Sequence, residues 1–509
     1  MSYSRNAGSL LAVSSLNGEF GIGTMGKAAK NFVDKLALMN FSYWQVLPLN
    51  PVDASGSPYC SFSAFAGSVS LIDPASLFDD GFINEDELKE NVYGGSIYMT
   101  DYEFAYEKRI QTLRLAFAKI GDSTKTEIEE FKQNSPWVEP YALFMSLKQA
   151  NDQKPWWQWS EDHALYENAL THKEEFQAEI DFYIFTQYIF YKQYYALKKY
   201  ANYKEIYIIG DMPIYVSRDS VDVWSNIDQF QINKKSLQPI DVAGVPPDYF
   251  SADGQLWGNP LYDWDKMKKD DYAWWTNRLE FSLDLYDEVR IDHFRALASY
   301  WAVPFGSATA KEGTWKKGPS MDFFNVINKK IKDPAIIAED LGTFGQDVID
   351  LLDESGLAGM RVIQFGFDPS GDSTHLPHNY DKNSIAYVGT HDNNTILGWL
   401  WDAQEWERKF ALRYCGFKDD NWGEGGYQSQ SCRSIIEAVW KSSSRTAIIA
   451  VQDMCGYGKD ARLNIPGTCE KNWIFRISGD ALNQIDVQYF NEINFIYKRT
   501  TKPERKTKT

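Results

Sequence analysis

Eight short apolar runs recur along the chain, at 9–14, 43–49, 205–210, 288–292, 335–339, 360–365, 385–389 and 447–452. Most are rich in Ile and Val, are bounded by turn residues, and lack the strict alternation of a half-exposed strand. That is the pattern of parallel strands buried on both faces. Helical periodicity falls between them: 27–39 follows the first run, and 411–414 with 434–440 precedes the last. Strand and helix in alternation predict an α/β fold, a (β/α)8 barrel, with no separate C-terminal β-sandwich. The spacing is uneven, which predicts two large insertions into a single barrel domain spanning 1–509. A mostly helical one covers about 60–200 after the second strand, with helices near 101–119 and 181–200. The latter carries apolar residues on most faces, as a buried helix does, with Asp181 at its start as a cap. A loop-rich insertion covers about 213–285 after the third strand. The basic tail at 498–509, KRTTKPERKTKT, reads as a solvated terminus that frays. Internal repeats are absent, which removes solenoid and propeller readings.

Three of the runs lead directly into an acid: Asp292 in DEVRIDHFRA, Glu339 in AIIAEDLG and Asp392 in IAYVGTHDNN. A parallel strand delivers the residue at its carboxyl end to the rim where barrel enzymes keep their chemistry, so the three acids are expected to share one pocket. Most of the chain's 70 Asp and Glu residues must be solvated surface, so the neighbours of these three have to decide the matter. Cleaving a glycosidic bond with retention needs a nucleophilic carboxylate and a protonated carboxyl about 5 to 5.5 Å apart. A third carboxylate can steady the positive charge that develops on the ring. Aspartate suits the nucleophile, and glutamate, longer by one methylene, suits the acid. Arg290 lies two residues before Asp292, on the same side of its strand, where its charge favours an ionised Asp292. His391 adds a donor at the same rim.

Bulk composition narrows the partners. A formal net charge of −18 repels phosphate backbones and argues against nucleic acid. The N-terminal stretch LLAV is too short for a signal sequence and no run approaches membrane-spanning length, so a cytoplasmic location with no membrane contact is expected. Five scattered cysteines without a CxxC pair indicate neither a disulfide framework nor zinc. No EF-hand-like loop occurs, and no metal or cofactor is implied. Aromatic residues make up 15% of the chain, including 18 Trp and 30 Tyr. Many must be core, but the excess fits a ligand whose apolar faces stack on rings, as sugars do.

Four segments, GDMPIYV at 210–216, VRIDHFRA at 289–296, IIAEDLG at 336–342 and YVGTHDNNT at 387–395, resemble the strand-end regions of the α-amylase superfamily, in the right order. Four more, SPYCSFSAFAG at 57–67, GVPPDYFSADGQLWGNPLYDW at 244–264, GMRVIQFGFD at 359–368 and ARLNIPGTCEKNW at 461–473, resemble the 4-α-glucanotransferases, also known as amylomaltases or disproportionating enzymes. That resemblance implies Asp292 as the nucleophile, Glu339 as general acid and base, and Asp392 as transition-state stabiliser. It also implies sugar contacts from Asp211, Arg290 and His391, and a donor-side wall at Tyr59. The cleft loop at 244–258 brings Tyr249, Phe250 and Trp257 to the acceptor, and Asp368, Asn464 and Pro466 match further cleft positions. Two residues depart from the family's pattern, Asn394 where Asp is usual and Ser68 where Asn is usual.

The resemblance thus implies an enzyme that transfers α-1,4-glucan segments between malto-oligosaccharides, or chains derived from starch or glycogen, through a glucosyl-Asp ester. An α-1,4-glucan hydrolase would use the same three acids, and a non-catalytic glucan-binding barrel remains a third reading. Transfer requires that a sugar, not water, reach the ester, and the loop at 244–258 is the feature suited to that.

Overall fold

The computed structural model describes residues 4–53, 55–247, 251–342, 345–368, 373–468 and 470–503. Eight strands form its centre: β1 (Asn6–Leu10), β2 (Tyr43–Gln45), β3 (Tyr207–Pro213), β4 (Glu288–Asp292), β5 (Ile336–Ala338), β6 (Gly359–Val362), β7 (Ser384–Tyr387) and β8 (Thr446–Ala450). They pair in parallel and in chain order, with β8 returning to lie beside β1. The ring closes between β5 and β6 through a single bridge, Ile337 to Ala358, and a bond of 2.9 Å from Ala338 N–H to Ala358 O. This is the (β/α)8 barrel that the run of apolar segments predicts. Tyr43, Ile209, Ile337, Met360, Tyr387 and Ile448 are among the side chains that pack together in its interior. The helices cover the outer faces, so the strands read as near-continuous apolar runs; every residue of β8 is buried.

All eight runs are strands; the fourth keeps its expected bounds, Glu288–Asp292, and the other seven have displaced edges. The first moves furthest, from the expected 9–14 to Asn6–Leu10, and Val13–Ser15 is a 3-10 turn. A polar residue in the barrel wall hid its start: Asn6 is buried, and its Oδ1 accepts a bond of 2.7 Å from Thr446 Oγ1. The third strand continues to Pro213, which sets Asp211 on the strand itself. Gly210 precedes it because a Cβ there would lie 2.1 Å from the Tyr286 ring.

Between β2 and β3 the chain is largely helical, ending in a long helix over Gln177–Tyr203. Asp181 does not cap that helix, contrary to expectation. A 3-10 turn at Lys173–Phe176 runs straight into it, and Asp181 lies one turn inside, accepting from Gln177 Nε2 at 2.7 Å. The stretch at 213–285 is more regular than the loop-rich insertion expected of it. It holds helices at Trp264–Lys269 and Ala273–Leu285, and a hairpin of Asp241–Val245 with Gln255–Pro260. The hairpin joins Ser299–Pro304 and Thr314–Lys317 in a four-stranded antiparallel sheet beyond the carboxyl ends of β3 and β4. Between β6 and β7 the described residues form only 3-10 turns, at Ile363–Phe365 and Pro377–Asn379, so one barrel helix is replaced. Among the described residues no helix is long and apolar enough to cross a membrane.

The expectation of a fraying tail from Lys498 fails for its described part. Arg499 is fully buried and donates to the carbonyls of Trp440, Asn6, Ser444 and Ser442 at 2.9 to 3.1 Å. Thr500 bridges Asn6, and Lys502 Nζ donates to Phe41 O at 2.5 Å. A run of basic residues read as solvated is in part a clamp on the amino end of β1. Arg499→Ala strips these buried carbonyls of their donors and is expected to cost about 3 kcal/mol of stability. A urea midpoint equal to that of the unaltered protein would contradict this.

Candidate active site

Strand register brings the acids together. β3 and β4 set Asp211 beside Arg290, and β4 and β5 set Ile291 beside Ala338. The next step of the same register sets Asp292 beside Glu339, whose N–H continues the ladder to Ile291 O at 3.0 Å. Neighbouring strands lie about 4.8 Å apart, close to the separation of about 5 to 5.5 Å that retention requires of two carboxyls.

Arg290 sits between two carboxylates at the top of the barrel. Its Nη1 donates to Asp211 Oδ1 at 2.6 Å and its Nη2 to Asp292 Oδ1 at 2.7 Å. Burial opposes charge on the guanidinium, but Asp211 and Asp292 outweigh it and raise the pKa well above its ordinary value. The side chains of Arg290 and Asp211 are 3% and 0% exposed, whereas Asp292 keeps 27%, so it alone of the three opens into the cleft. Arg290 as guardian of an ionised Asp292 is only part of the picture. Burial raises the Asp292 carboxyl above its usual value, with Arg290 pulling it down and Asp211 and Asp392 adding to the rise.

Glu339 and Asp392 are driven in opposite directions. Burial, reinforced by the negative charge of Asp292, raises Glu339 to about 8. Backbone donors hold it in place, His293 N–H to Oε2 at 2.7 Å and Leu341 N–H to Oε1 at 2.8 Å. His293 adopts the left-handed conformation, φ 57°, that aims its N–H there. For Asp392 burial works towards a higher value, but His391, Asn464 and Arg290 bring it down to about 2. His391 Nε2 lies 3.2 Å from Asp392 Oδ2, and Asn464 Nδ2 donates to Oδ1 at 2.6 Å. The carboxylate belongs to a tight turn after β7, in which Thr390 N–H and Oγ1 both donate to Asn393 Oδ1 at 2.9 Å. Asn394, the departure from the usual Asp, turns away from it: its Nδ2 donates to Asp402 Oδ2 at 3.2 Å. Ser68 likewise sits below the site, buried, its N–H donating to Leu49 O.

Tyr59 joins the two halves. Its hydroxyl donates to Asp211 Oδ2 at 2.5 Å and lies 2.9 Å from His391 Nε2, and its ring stacks on the imidazole with centroids 5.4 Å apart. Burial and the nearby acids raise the phenol well above its ordinary range, which keeps it a donor. Burial lowers the His391 pKa, but Asp392 reverses this and raises it overall; its Nδ1 is buried without a protein partner among the described residues.

The remaining expected residues spread around this centre. Trp257 is 38% exposed at the start of the cleft hairpin's second strand, its ring edge-on to His293 at 4.6 Å. Tyr249 and Phe250 lie outside the described residues. Asp368 is half-buried, three residues past the 3-10 turn that follows β6. Pro466 is exposed at the second position of a turn closed by Thr468 N–H to Ile465 O; Gly467, φ 80°, supplies the positive dihedral such a turn needs. Three residues that the sequence reading passed over take part. Arg462 Nη2 donates to Asp392 O at 2.6 Å and its Nε to Asn464 O at 2.7 Å. Trp473 packs on both Tyr59 and His391, at 5.7 and 5.9 Å. His293, which burial and Arg295 push down to about 3, is a neutral ring between Trp257 and the acids. Arg462 and Trp473 flank Asn464 in the segment at 461–473, and His293 adjoins Asp292, so adjacency was the available signal.

The sequence pattern that defines the 4-alpha-glucanotransferase family matches residues 11–483. The chain belongs to that family. The 4-alpha-glucanotransferase of Clostridium butyricum is 40% identical over 496 residues, 96% of this chain and 98% of that protein. That of Thermus thermophilus is 39% identical over 491 residues, 94% of this chain and 95% of its own. The structure of an amylomaltase from Streptococcus agalactiae in complex with acarbose superimposes with a TM-score of 0.93 at 37% identity, covering 97% of this chain and 100% of that one. This glucanotransferase is therefore a glycosyltransferase acting on α-1,4-glucans.

Because the charge of Asp292 supports the raised Glu339, Asp292→Asn is expected to move the Glu339 pKa from about 8 towards its ordinary value. Infrared titration of the carboxyl band in the two proteins reads the difference. An unchanged or higher pKa in the variant would remove the electrostatic link between the two acids.

Proposed function

We propose that Asp292, Glu339 and Asp392 carry the transfer by double displacement, on malto-oligosaccharides and chains derived from starch or glycogen in the cytoplasm. The observation that supports this most is the pairing of Asp292 and Glu339 across adjacent strands, with Glu339 protonated at neutral pH. In the first step the Asp292 oxygen not held by Arg290 attacks the anomeric carbon. Glu339 gives its proton to the glycosidic oxygen, the C–O bond breaks, and the leaving glucan departs with a 4-hydroxyl. The donor is now an ester of Asp292. Forming that ester removes the negative charge that helped raise Glu339, so the carboxylate left behind is less basic than in the free enzyme and suited to act as the base. In the second step it takes the proton from an acceptor 4-hydroxyl, whose oxygen displaces Asp292 and restores both acids.

Asp392, ionised down to about pH 2, faces the oxocarbenium-like charge in both steps. Tyr59, Asp211, Arg290 and His391 form the polar wall of the donor sugar, with His391 Nδ1 left to one of its hydroxyls. Asn464 and Arg462 keep Asp392 in place rather than touching sugar. Trp257 covers the acceptor side and disfavours water, and Asp368 and Pro466 extend the cleft. A hydrolase would use the same acids, but the relatives reported above bear the name of the transferase, and the amylomaltase from Streptococcus agalactiae is in complex with acarbose, which supports the glucan reading.

Maltotriose supplied alone should yield glucose and a ladder of longer chains. With respect to pH, Glu339 must carry its proton for the first step, so kcat/KM should fall as pH rises through about 8. Chromatography of the products across a pH series checks both. Shortening of maltotriose without a ladder would favour hydrolysis, and full activity well above that pH would remove Glu339 as the acid.

A further inference from the structure

A cavity of about 810 Å³ opens on the flank of the barrel, between the helical insertion and the helix Ala273–Leu285 that precedes β4. Its lining includes none of the active-site acids. Rings form its walls: Phe65 and Trp137 lie within 16° of parallel at 6.4 Å, and Phe281 approaches them at 5.2 and 5.9 Å. These three rings are only half-buried, so apolar faces remain open. The mouth carries exposed amides and acids, Asn134, Asn277, Glu280 and Asp284, and no Lys, Arg or His lines the cavity among the described residues. Trp274, Asn277, Phe281 and Asp284 recur along one face of their helix, a span of about 15 Å.

The chemistry selects the occupant. A lining with carboxylates and no cation repels phosphates and other anions. Flat ring faces suit the apolar C–H faces of a sugar, and amides and carboxylates at the edge suit its hydroxyls. The cavity is also tied to the active site through one stretch of chain. The segment at 57–67 turns Tyr59 towards Asp211 and Phe65 into the cavity, pinned between them by Ala64 N–H to Asp222 Oδ2 at 2.7 Å.

We propose that this cavity is a second, non-catalytic binding site for a neutral α-glucan chain, the choice of glucan resting on the transferase activity. It holds a distant part of a long chain while another part occupies the cleft, which raises the local concentration of chain ends at the acids. Asp292→Asn, which does not turn substrate over, allows binding to be counted. Calorimetric titration of that variant with maltoheptaose should show two sites per chain. Adding Asn277→Arg, at an exposed helical position in the mouth, should leave one, and Tyr195→Ala, which removes an exposed ring from the rim, should weaken the same one. In the active enzyme, Asn277→Arg should leave maltotriose transfer unchanged and raise KM for long amylose about threefold or more. One site in the parent variant, or two sites that persist after Asn277→Arg, would overturn the proposal. Continued formation of the maltotriose ladder would then show that the cavity reading had failed while the transferase reading stood.

Discussion

One guanidinium, buried between two carboxylates, is the constraint on which the rest of the site depends. Removing charges from water costs several kcal/mol per ion, and only close, hydrogen-bonded pairing offsets it. Arg290 meets that condition by binding Asp211 and Asp292 at once. Because Asp211 and Arg290 are register partners, a slip of one residue between β3 and β4 would separate them and turn the slipped strand's member of the pair to the opposite face. The ion pair therefore favours the register of β3 against β4, while the register of β4 against β5 sets Asp292 beside Glu339. Packing in the barrel supports the arrangement from below, where Met360 sulfur lies 3.4 Å from Arg290 Nε.

On that frame, two carboxyls at one rim acquire different tasks from their surroundings. For Glu339 burial and the charge of Asp292 outweigh Arg290 and two backbone donors, so it stays protonated near neutrality. Asp392, whose side chain is more open, is met by His391, Asn464 and Arg290, and remains ionised. Separation of two similar groups by environment is how a single fold supplies acid and anion at one pH. Asp292 is also raised by burial, but Arg290 pulls it down, and its side chain keeps 27% of its surface open to the cleft.

Much of this was legible in the chain. Strands buried on both faces leave continuous apolar runs, and their carboxyl ends locate the acids, so the barrel, Asp292, Glu339 and Asp392 could be read directly. Regions governed by other physics could not. Asn6 carries no apolar signal because it bonds within the barrel wall, which hid the true start of β1. Asp181 has the chemistry of a cap, but the preceding 3-10 turn removes the need for one. Arg499 looked like solvated charge because its carbonyl partners come from residues 6 and 440–444, distant in sequence. Arg462 and Trp473 act on the site only through Asp392, Tyr59 and His391, contacts that periodicity cannot show.

The central claim is that Asp292 carries the donor as a covalent ester. Glu339→Gln combined with an α-maltosyl fluoride tests it directly, since fluoride leaves without a proton while the second step still lacks its base. Mass spectrometry of a rapidly quenched digest should find a maltosyl adduct on the peptide containing Asp292. An adduct on Asp392 instead, or fluoride release with no adduct on any acid, would contradict the account.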